Sequence, residues 1–584
     1  MTTIWLRSVV LAAVVITLAG TAGSRLGAAA QSPAAGVTAT FNEADARRWL
    51  TYLSSDLLQG RRVFTEGYGL AASYIAGELR AMGVEPLGDE GTYFQAIVRR
   101  GYRVTQQSSV TVTARGETRT FKHGDHVLFA AASGGRQTLK FSGVEMVGYG
   151  LAPVAGSREI TSTRSAPGKL VLFLSGTPRA LVSNGGRVPR SLVSVTSRAA
   201  ALVDGQAGAG AAVGLSTTPI VPATPGGAEA GVGQTSAPPS GRAGGRGNGA
   251  VGAARDLTTT ADMAKPAPPA LTADETFFDF VMGESHGGLK ALRALAEKGE
   301  PLPAFSLADV QVTIDVDTRY DVVSAERTQN VVALIRGTDP VLRDQYVMFG
   351  AHLDHVGYAT GTQARGRANV PVDQDGVWNG ADDDGSGTTA LLLTAKAMQA
   401  GPRPKRSVVL VWHAGEEEGL IGSLYMADNP VVPLDRVEAV FNIDMIGRNR
   451  DDDAGQADTV FVIGADRIST DLHNVIVEAN GATPRPMHLD YEYNDVNDTN
   501  SFYTRSDHYS YASKGVPVAF FFTGTHPDYH ANTDTVDKIL FPKLLRITDL
   551  VYRAAWSVAD RPGRLVRDNR GPRSGRGFSG RLDR

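Results

Sequence analysis

The feature that most constrains the fold is an alternation of two hydrophobic patterns in the last part of the chain. Apolar runs of five to seven residues occupy positions 346–350, 408–412, 439–443 and 516–522. Helical stretches lie between and after them, at 386–399, 469–480 and 535–556. Short runs that are apolar throughout suit strands buried on both faces, and parallel strands need helical crossovers. The pattern predicts an α/β domain with a mainly parallel, twisted sheet sandwiched by helices.

The preceding residues divide into a helical part and an insert. Helices are predicted at 44–58 and 68–82, the second ending at Gly83. From 105 to 326, short alternating or apolar runs separated by Gly, Ser and Pro predict an inserted β-rich module. The α/β domain then continues over 327–560.

One segment of the insert has a composition of its own. Between 224 and 270, Gly, Ala, Pro and Ser dominate and large apolar side chains are almost absent. Burial of such a segment cannot offset the conformational entropy that ordering it would cost. We therefore expect a flexible surface insertion there.

Both ends of the chain are predicted to lie outside the folded domains. Arg7 precedes the apolar run 9–18, and the triplet Ala28-Ala29-Ala30 matches the small-residue pattern at which signal peptides are cleaved. The run is about half of the roughly 20 residues that span a bilayer. Residues 1–30 are thus expected to be a signal peptide cleaved near Ala30, and the mature protein to be secreted or periplasmic without stable membrane insertion. Residues 561–584, with eight arginines, are expected to form a disordered basic tail.

Charge and cysteine content exclude several classes of function. The 58 basic and 61 acidic residues give a formal charge of −3, which provides no reason to expect a nucleic-acid partner. The chain has no cysteine, so disulfides, thiolate metal ligands and a cysteine nucleophile are excluded. Any metal must be held by His, Asp and Glu. Eight of the eleven histidines lie within 352–530, where a metal site is therefore to be sought.

Five short stretches place such side chains at predicted strand ends or in loops. They are His352-Leu353-Asp354-His355, Asp382-Asp383-Asp384, Glu416-Glu417-Glu418 after His413, Asn442-Ile443-Asp444 and Tyr529-His530. Open α/β sheets bind ligands at the carboxyl ends of their strands, so these residues are expected to converge. Two imidazoles and three carboxylates, from His352, Asp383, Glu417, Asp444 and His530, suit two Zn²⁺ ions with one carboxylate bridging.

Each stretch alone also has an ordinary interpretation. The stretch at His352 is equally compatible with a polar surface loop, and the glutamates at 416–418 with a solvated helix start favoured by the helix dipole. Three consecutive aspartates repel one another unless a cation offsets the repulsion, which also leaves a calcium loop open. The EF-hand pattern fails, however, at Val377 and Trp378.

Taken as a set and in this order, the five stretches resemble the secreted di-zinc aminopeptidases, the family that also contains aminopeptidase Y and glutamate carboxypeptidase. The resemblance covers roughly 327–558 and implies the zinc exopeptidase fold, with residues 42–104 as the N-terminal helical part of the same domain. The insert resembles a protease-associated domain. The family resemblance implies two zinc ions per subunit, with Asp383 as a ligand of both. His352 and Asp444 are the other expected ligands of one ion, and Glu417 and His530 those of the second. The resemblance also implies that the Asp383–Asp384 peptide bond is cis.

The same resemblance assigns three further roles. Glu416 is the expected general base, Asp354 the partner that orients His352, and Tyr529 the support for the developing oxyanion. The expected activity is a zinc-dependent exopeptidase, most plainly an aminopeptidase acting on the N-terminal bond of peptides. The sequence leaves the oligomeric state open.

Three alternatives to an aminopeptidase are compatible with parts of this pattern. A carboxypeptidase or dipeptidase uses the same zinc ligands, and Arg448 or Arg505 could bind a substrate carboxylate. A non-catalytic binding protein on this fold is expected to have lost ligands, whereas every ligand position here is filled. A single-zinc glutaminyl cyclase is disfavoured for the same reason.

Overall fold

The structure is a computed structural model that describes residues 39–130, 135–151, 167–176, 178–179, 194–204, 209–216, 218–220, 266, 268–361, 363–495 and 498–568. The predicted signal peptide, nearly all of the low-complexity segment 224–270 and residues 569–584 of the predicted tail lie outside these residues. Among the described residues, no helix combines the length and the apolar character that a bilayer crossing requires.

The strands, numbered in chain order, are β1 Glu85–Pro86, β2 Phe94–Gln106, β3 Ser109–Ala114, β4 Glu117–Lys122, β5 Val127–Phe129, β6 Gln137–Val147, β7 Leu170–Phe173, β8 Ala211–Leu215, β9 Ala270–Ala273, β10 Ala304–Val316, β11 Thr318–Ile335, β12 Tyr346–His352, β13 Gly357–Tyr358, β14 Val377–Trp378, β15 Ser407–His413, β16 Val437–Ile443, β17 Thr459–Ile463, β18 His488–Asp490 and β19 Val518–Phe522. The α-helices are α1 Glu43–Leu53, α2 Glu66–Met82, α3 Val195–Asp204, α4 Glu275–Met282, α5 Gly288–Glu297, α6 Gly385–Ala400, α7 Ile421–Asp428, α8 Ala465–Ile468, α9 Thr470–Gly481, α10 His508–Ala512 and α11 Phe541–Asp560.

The first sheet has the order β1-β11-β15-β12-β16-β19-β17-β18, with β2 also paired to β11. Its four central strands, β15, β12, β16 and β19, are mutually parallel. The flanking strands β11 and β17 run antiparallel to their central neighbours. The α/β prediction is confirmed, but the mainly parallel arrangement holds for the centre of the sheet only.

Helices cover both faces of this sheet. Alternate residues of β12 point to opposite sides, so Val347 and Phe349 join one apolar core while Met348 joins the other. The first core includes side chains of α1, α2, α6, α9 and α11. The second core includes side chains of α7, α8 and α10. The predicted sandwich of helices around the sheet is therefore present.

The first predicted helix is shorter than expected. It ends at Leu53 rather than at position 58, and a 3-10 segment follows over Asp56–Arg61. Gln59 and Gly60 within that segment have positive φ angles of 52° and 64°, which an α-helix cannot contain. The second predicted helix corresponds to α2 and ends at Gly83, whose φ of 73° is left-handed.

The insert forms a second sheet with the order β4-β3-β10-β6-β7-β8-β9-β5. It is less purely β than the sequence suggests, because α3, α4 and α5 pack against it and β6 to β9 are parallel neighbours. The long antiparallel pair β2 and β11 joins the two sheets, with Gln106 opposite Thr318 at its far end. The insert accordingly spans about 107–317, within the predicted 105–326.

The structure also differs from the prediction at the start of the expected basic tail. Leu565 is 5% exposed, and Arg564 pairs with Glu438 at 2.7 Å. The backbone N–H groups of Val566 and Leu565 donate to the carboxylates of Asp471 and Glu438. Residues 561–568 thus lie against the α/β domain built on the first sheet, called the first domain below. Buried or partly buried acids of this domain accept hydrogen bonds from the arginine and backbone donors of residues 561–568.

Candidate metal centre

Three neighbouring parallel strands bring the acidic and imidazole side chains to one edge of the first sheet. β12 ends at His352, β15 ends at His413 before the 416–418 loop, and β16 ends at Ile443 directly before Asp444. β12 lies between β15 and β16, in register with both. Because parallel strands end at the same edge, residues distant in sequence meet there.

The first cluster joins His352, Asp383 and Asp444. His352 Nε2 lies 3.2 Å from Asp383 Oδ1 and 3.6 Å from Asp444 Oδ1, and all three residues are buried. The Ser506 hydroxyl donates to Asp444 Oδ2 over 2.6 Å, which fixes the carboxylate while its other oxygen faces His352. These three side chains can each offer one ligand atom to a single ion.

The second cluster joins His530, Glu417 and the other oxygen of Asp383. His530 Nε2 lies 3.0 Å from Asp383 Oδ2 and 2.9 Å from Glu417 Oε2. One oxygen of Asp383 therefore faces each cluster, as a bridging carboxylate requires. The structure brings together all five side chains that the sequence analysis selected as ligands.

The orientation of His352 differs in detail from the prediction. Its Nδ1 is 3.1 Å from the backbone carbonyl oxygen of Asp354, while the Asp354 carboxylate is 3.8 Å away. An Nδ1–H that donates to this carbonyl leaves Nε2 unprotonated and aimed at the cluster. The carboxylate instead accepts the backbone N–H groups of Glu416 and Glu417, at 3.0 and 3.3 Å. Asp354 thus holds the 416–417 loop.

The three consecutive aspartates, Asp382, Asp383 and Asp384, make different contacts. Asp382 accepts the Gly447 N–H over 2.6 Å and lies 3.2 Å from His526 Nε2. Asp384 caps α6 by accepting from Gly387 N, and it also accepts from the backbone N–H groups of His352 and Met445. Only Asp383 points into both clusters. The peptide bond between Asp383 and Asp384 is cis, as the resemblance implied.

A further acid supports this loop. Asp534 is fully buried and accepts the backbone N–H groups of Asp382 and Asp383 at 3.0 to 3.1 Å. Neither Asp534 nor His355, which lies beside the second cluster, has a role predicted from the sequence. Asp534 follows His530 by four residues in an irregular loop, where spacing does not predict direction.

The electrostatics of the pocket match a site for cations. Burial alone would raise the pKa of Glu417, but the nearby His530 and His355 imidazoles hold it at about 2. Burial raises the pKa of Glu416 well above its usual range, and the carboxylates of Glu417 and Asp444 add to the shift. Among the described residues, Asp383 Oδ2 and Glu417 Oε1 are buried without a well-directed hydrogen bond. Oxygen atoms of this kind need a positive partner.

Tyr529 stands at the partly exposed side of the second cluster. Its ring stacks on that of His530 with centroids 4.0 Å apart, and its hydroxyl accepts from the Arg505 guanidinium over 3.3 Å. Burial raises the pKa of Tyr529 to about 12, so the phenol keeps its proton at neutral pH. Arg448, by contrast, is buried against Asp452 and Asp528 and is not free to bind a substrate carboxylate.

One family model and several curated proteins match part of this chain. Residues 330–555 match the model of peptidase family M28. A probable leucine aminopeptidase of Arthroderma otae is 28% identical over 234 residues, which cover 38% of this chain and 57% of the relative. A probable zinc metalloprotease of Pyrenophora teres f. teres is 30% identical over 152 residues, 26% of each chain. The chain thus spans little more than half the length of the first relative.

Solved structures were also compared. BSAP, a zinc aminopeptidase from Bacillus subtilis, is 16% identical with a TM-score of 0.42 over 90% of this chain and 97% of its own. An aminopeptidase from Aneurinibacillus sp. strain AM-1 is 17% identical with a TM-score of 0.41, over 90% and 96% of the two chains.

Proposed function

We propose that this protein is a zinc-dependent exopeptidase, most specifically an aminopeptidase that cleaves the N-terminal peptide bond of peptides, because residues 330–555 match the model of peptidase family M28. The observation that carries the proposal is the convergence of His352, Asp383, Glu417, Asp444 and His530, with the two oxygens of Asp383 facing two clusters. Imidazole nitrogen and carboxylate oxygen are donors that zinc accepts.

The donor set fits two zinc ions: His352 and Asp444 would hold one, Glu417 and His530 would hold the other, and Asp383 would contribute to both. Zinc supplies Lewis-acid polarisation of a carbonyl and water with a pKa lowered toward neutrality. The remaining steps fall to the protein's own side chains.

Glu416 is placed to act as the general base that takes a proton from the attacking water. Asp354 holds its backbone N–H, and burial favours the protonated carboxyl once a proton has been taken from the attacking water. The same carboxyl can return that proton to the leaving nitrogen. Tyr529, with its proton retained and its oxygen accepting from Arg505, can donate to the oxyanion that develops on the scissile carbonyl.

The first test separates metal binding from proton transfer. Glu416→Gln should leave zinc stoichiometry near that of the wild type but lower turnover by about 10²-fold or more, because the amide cannot act as a base. Asp383→Ala should instead lose zinc and lower the melting temperature, because it removes the carboxylate shared by both clusters. Zinc content by elemental analysis and single-turnover rates provide the readouts. Comparable turnover in Glu416→Gln would remove Glu416 from this role.

The second test concerns the substrate. A panel of aminoacyl chromogenic amides should be hydrolysed, and a chelator should abolish the activity. One observation favours a carboxypeptidase or dipeptidase instead: Arg505 is partly exposed beside Tyr529 and could bind the terminal carboxylate of a substrate. Hydrolysis only of C-terminally acidic dipeptides would overturn the aminopeptidase and support a carboxypeptidase or dipeptidase.

We propose two further properties of the whole chain. Export, with cleavage near Ala30, rests on the sequence of residues 1–30 and is checked by N-terminal sequencing of the protein outside the cell. A protease-associated role for the insert is supported by its separate sheet and its separate apolar cores.

A further inference from the structure

His355 lies in the same pocket as the five expected ligands. It follows β12 by three residues and is 0% exposed. Its Nδ1 is 2.9 Å from Glu417 Oε1 and 3.8 Å from Asp383 Oδ2. His355, Asp383 and Glu417 can each direct one ligand atom toward a common point.

Neither ring nitrogen of His355 has a hydrogen-bond partner among the described residues. The carboxylate oxygens it faces, Glu417 Oε1 and Asp383 Oδ2, share this property despite their short distances to imidazole nitrogen. A buried polar atom without a partner costs about 1–3 kcal/mol, so these three atoms facing one another, His355 Nδ1, Glu417 Oε1 and Asp383 Oδ2, call for a shared partner. A cation between them satisfies His355 Nδ1, Glu417 Oε1 and Asp383 Oδ2 at once.

The backbone makes room for this ring. Gly380 has a φ of 58°, and a Cβ on it would lie 2.5 Å from His355 Cγ. The ring stands edge-on to that of His530, with centroids 5.8 Å apart and planes at 72°. The two imidazoles thus flank Glu417 from different directions, which is the arrangement of ligands around an ion rather than of a stacked pair.

The distances also agree with a shared ion. Zinc bonds of 2.0–2.2 Å in tetrahedral geometry place two ligand atoms about 3.3 Å apart. The separations among His355, His530, Asp383 and Glu417 in this cluster are 2.9, 2.9, 3.0 and 3.8 Å. These values lie on both sides of the expected one.

We propose that His355, through Nδ1, is a further ligand of the ion held by Glu417 and His530. The inference rests on the proposed zinc function. It makes the two positions unequal: the protein supplies one imidazole and two carboxylates at the first, and two imidazoles and two carboxylates at the second. The unprotonated Nδ1 must face the ion, so Nε2 carries the proton of the neutral ring.

X-ray absorption at the zinc edge tests the proposal without any measurement of activity. The wild type loaded with two zinc ions should show about 1.5 imidazoles per zinc, three rings over two ions. In His355→Gln the value should fall to about 1.0, and the affinity for one of the two ions should fall by at least about 10-fold.

His413→Gln is the matched control. His413 is also fully buried near the end of its strand, but its Nε2 pairs with the Tyr511 hydroxyl at 2.8 Å and its Nδ1 lies 3.3 Å from Asp507. This variant should keep about 1.5 imidazoles per zinc, because its ring does not face the clusters. Melting curves establish that each variant is folded.

The outcomes separate this inference from the proposed function. A wild type with two zinc ions and about 1.0 imidazole per zinc would overturn the role of His355 and leave the exopeptidase intact. A wild type that binds no zinc would overturn both. If His355→Gln fails to fold, the wild-type value alone decides.

Discussion

At the residue scale, the first domain contains a lysine in an unusual place. Lys543, in the first turn of α11, is 4% exposed. Its ammonium group donates to Asn449 Oδ1 over 2.8 Å and to the Gln456 carbonyl over 2.9 Å. Burial lowers the pKa of Lys543 from 10.5 to about 8, with no ion pair strong enough to reverse the shift.

This shift predicts a pH dependence of stability. Between pH 8 and 10.5 the unfolded chain holds a proton at Lys543 that the folded chain has released, so the contribution of Lys543 to the free energy of unfolding rises with pH. Relative to Lys543→Met, the wild type should gain up to about 1.4 kcal/mol per pH unit in this window. Urea unfolding of both proteins at pH 7.5, 8.5 and 9.5, values on either side of the pKa of about 8, measures the gain in the free energy of unfolding. A constant difference would contradict it.

At the element scale, the loops of the metal centre are held by the N-terminal helical part. Arg61, which is 1% exposed, donates to the carbonyl oxygens of Leu53, Leu353, Asn379 and Gly380 at 2.5 to 2.9 Å. One guanidinium thus joins the end of α1, the segment after His352 and the loop before Asp383. Four buried carbonyls accept from this side chain, and of these the Gly380 carbonyl also accepts the backbone N–H of Gly385.

Arg61→Met should therefore be severely destabilising. Removing the donor leaves several buried carbonyls unpaired, and the expected loss is at least about 3 kcal/mol in the free energy of unfolding. The neighbouring Arg62→Met is the control, because Arg62 is partly exposed and pairs with Glu418, so the expected loss is under about 1 kcal/mol. Tryptophan fluorescence during urea unfolding reports on this domain, where Trp49, Trp378, Trp412 and Trp556 are located. Equal losses in both variants would refute the argument.

The elements that sequence could predict are those with strong local patterns. The central strands β12, β15, β16 and β19 are apolar throughout, and each lies within about three residues of its predicted run. Strands β17 and β18 and helices α7 and α10 were not predicted, because they are short and their environment is set by packing rather than by periodicity. Strand ends locate His352 and Asp444, and Glu417 lies just after the end of β15. Asp383 and His530 lie in loops, and the family resemblance selects them. His355, Asp534 and Arg61 lie in irregular backbone, so no spacing reveals their direction.

At the scale of the whole molecule, the two sheets have separate apolar cores. Side chains of the insert form their own clusters, and those of the first domain form two others. The chain leaves β2 at Gln106 and enters β11 at Thr318, and these two residues face each other across an antiparallel pair. The ends of the insert therefore lie where a two-residue turn could join them.

A shortened chain should keep the metal centre. Replacing residues 107–317 by Asn-Gly should give a folded protein with unchanged zinc stoichiometry, because β2 and β11 still pair and no core of the first domain is cut. A second deletion that removes residues 107–335 is the control. It takes away all of β11, including the residues that pair with β15, and should prevent folding. Zinc analysis and circular dichroism give the answer, and loss of zinc in the shorter deletion would show that the insert is needed for the site.

The position of Arg61 also bears on synthesis of the protein. Its acceptor Asn379 lies 318 residues further along the chain, and the Tyr68 hydroxyl donates to Gln329, 261 residues away. At about 5–20 residues per second, a ribosome needs roughly 15–60 s to supply these partners. During that interval the central strands β12, β15, β16 and β19, whose side chains share an apolar core with α1 and α2, have not all been made. Holding chaperones should therefore bind the first translated helices most persistently, and the pocket of the candidate metal centre can close only when translation has passed His530.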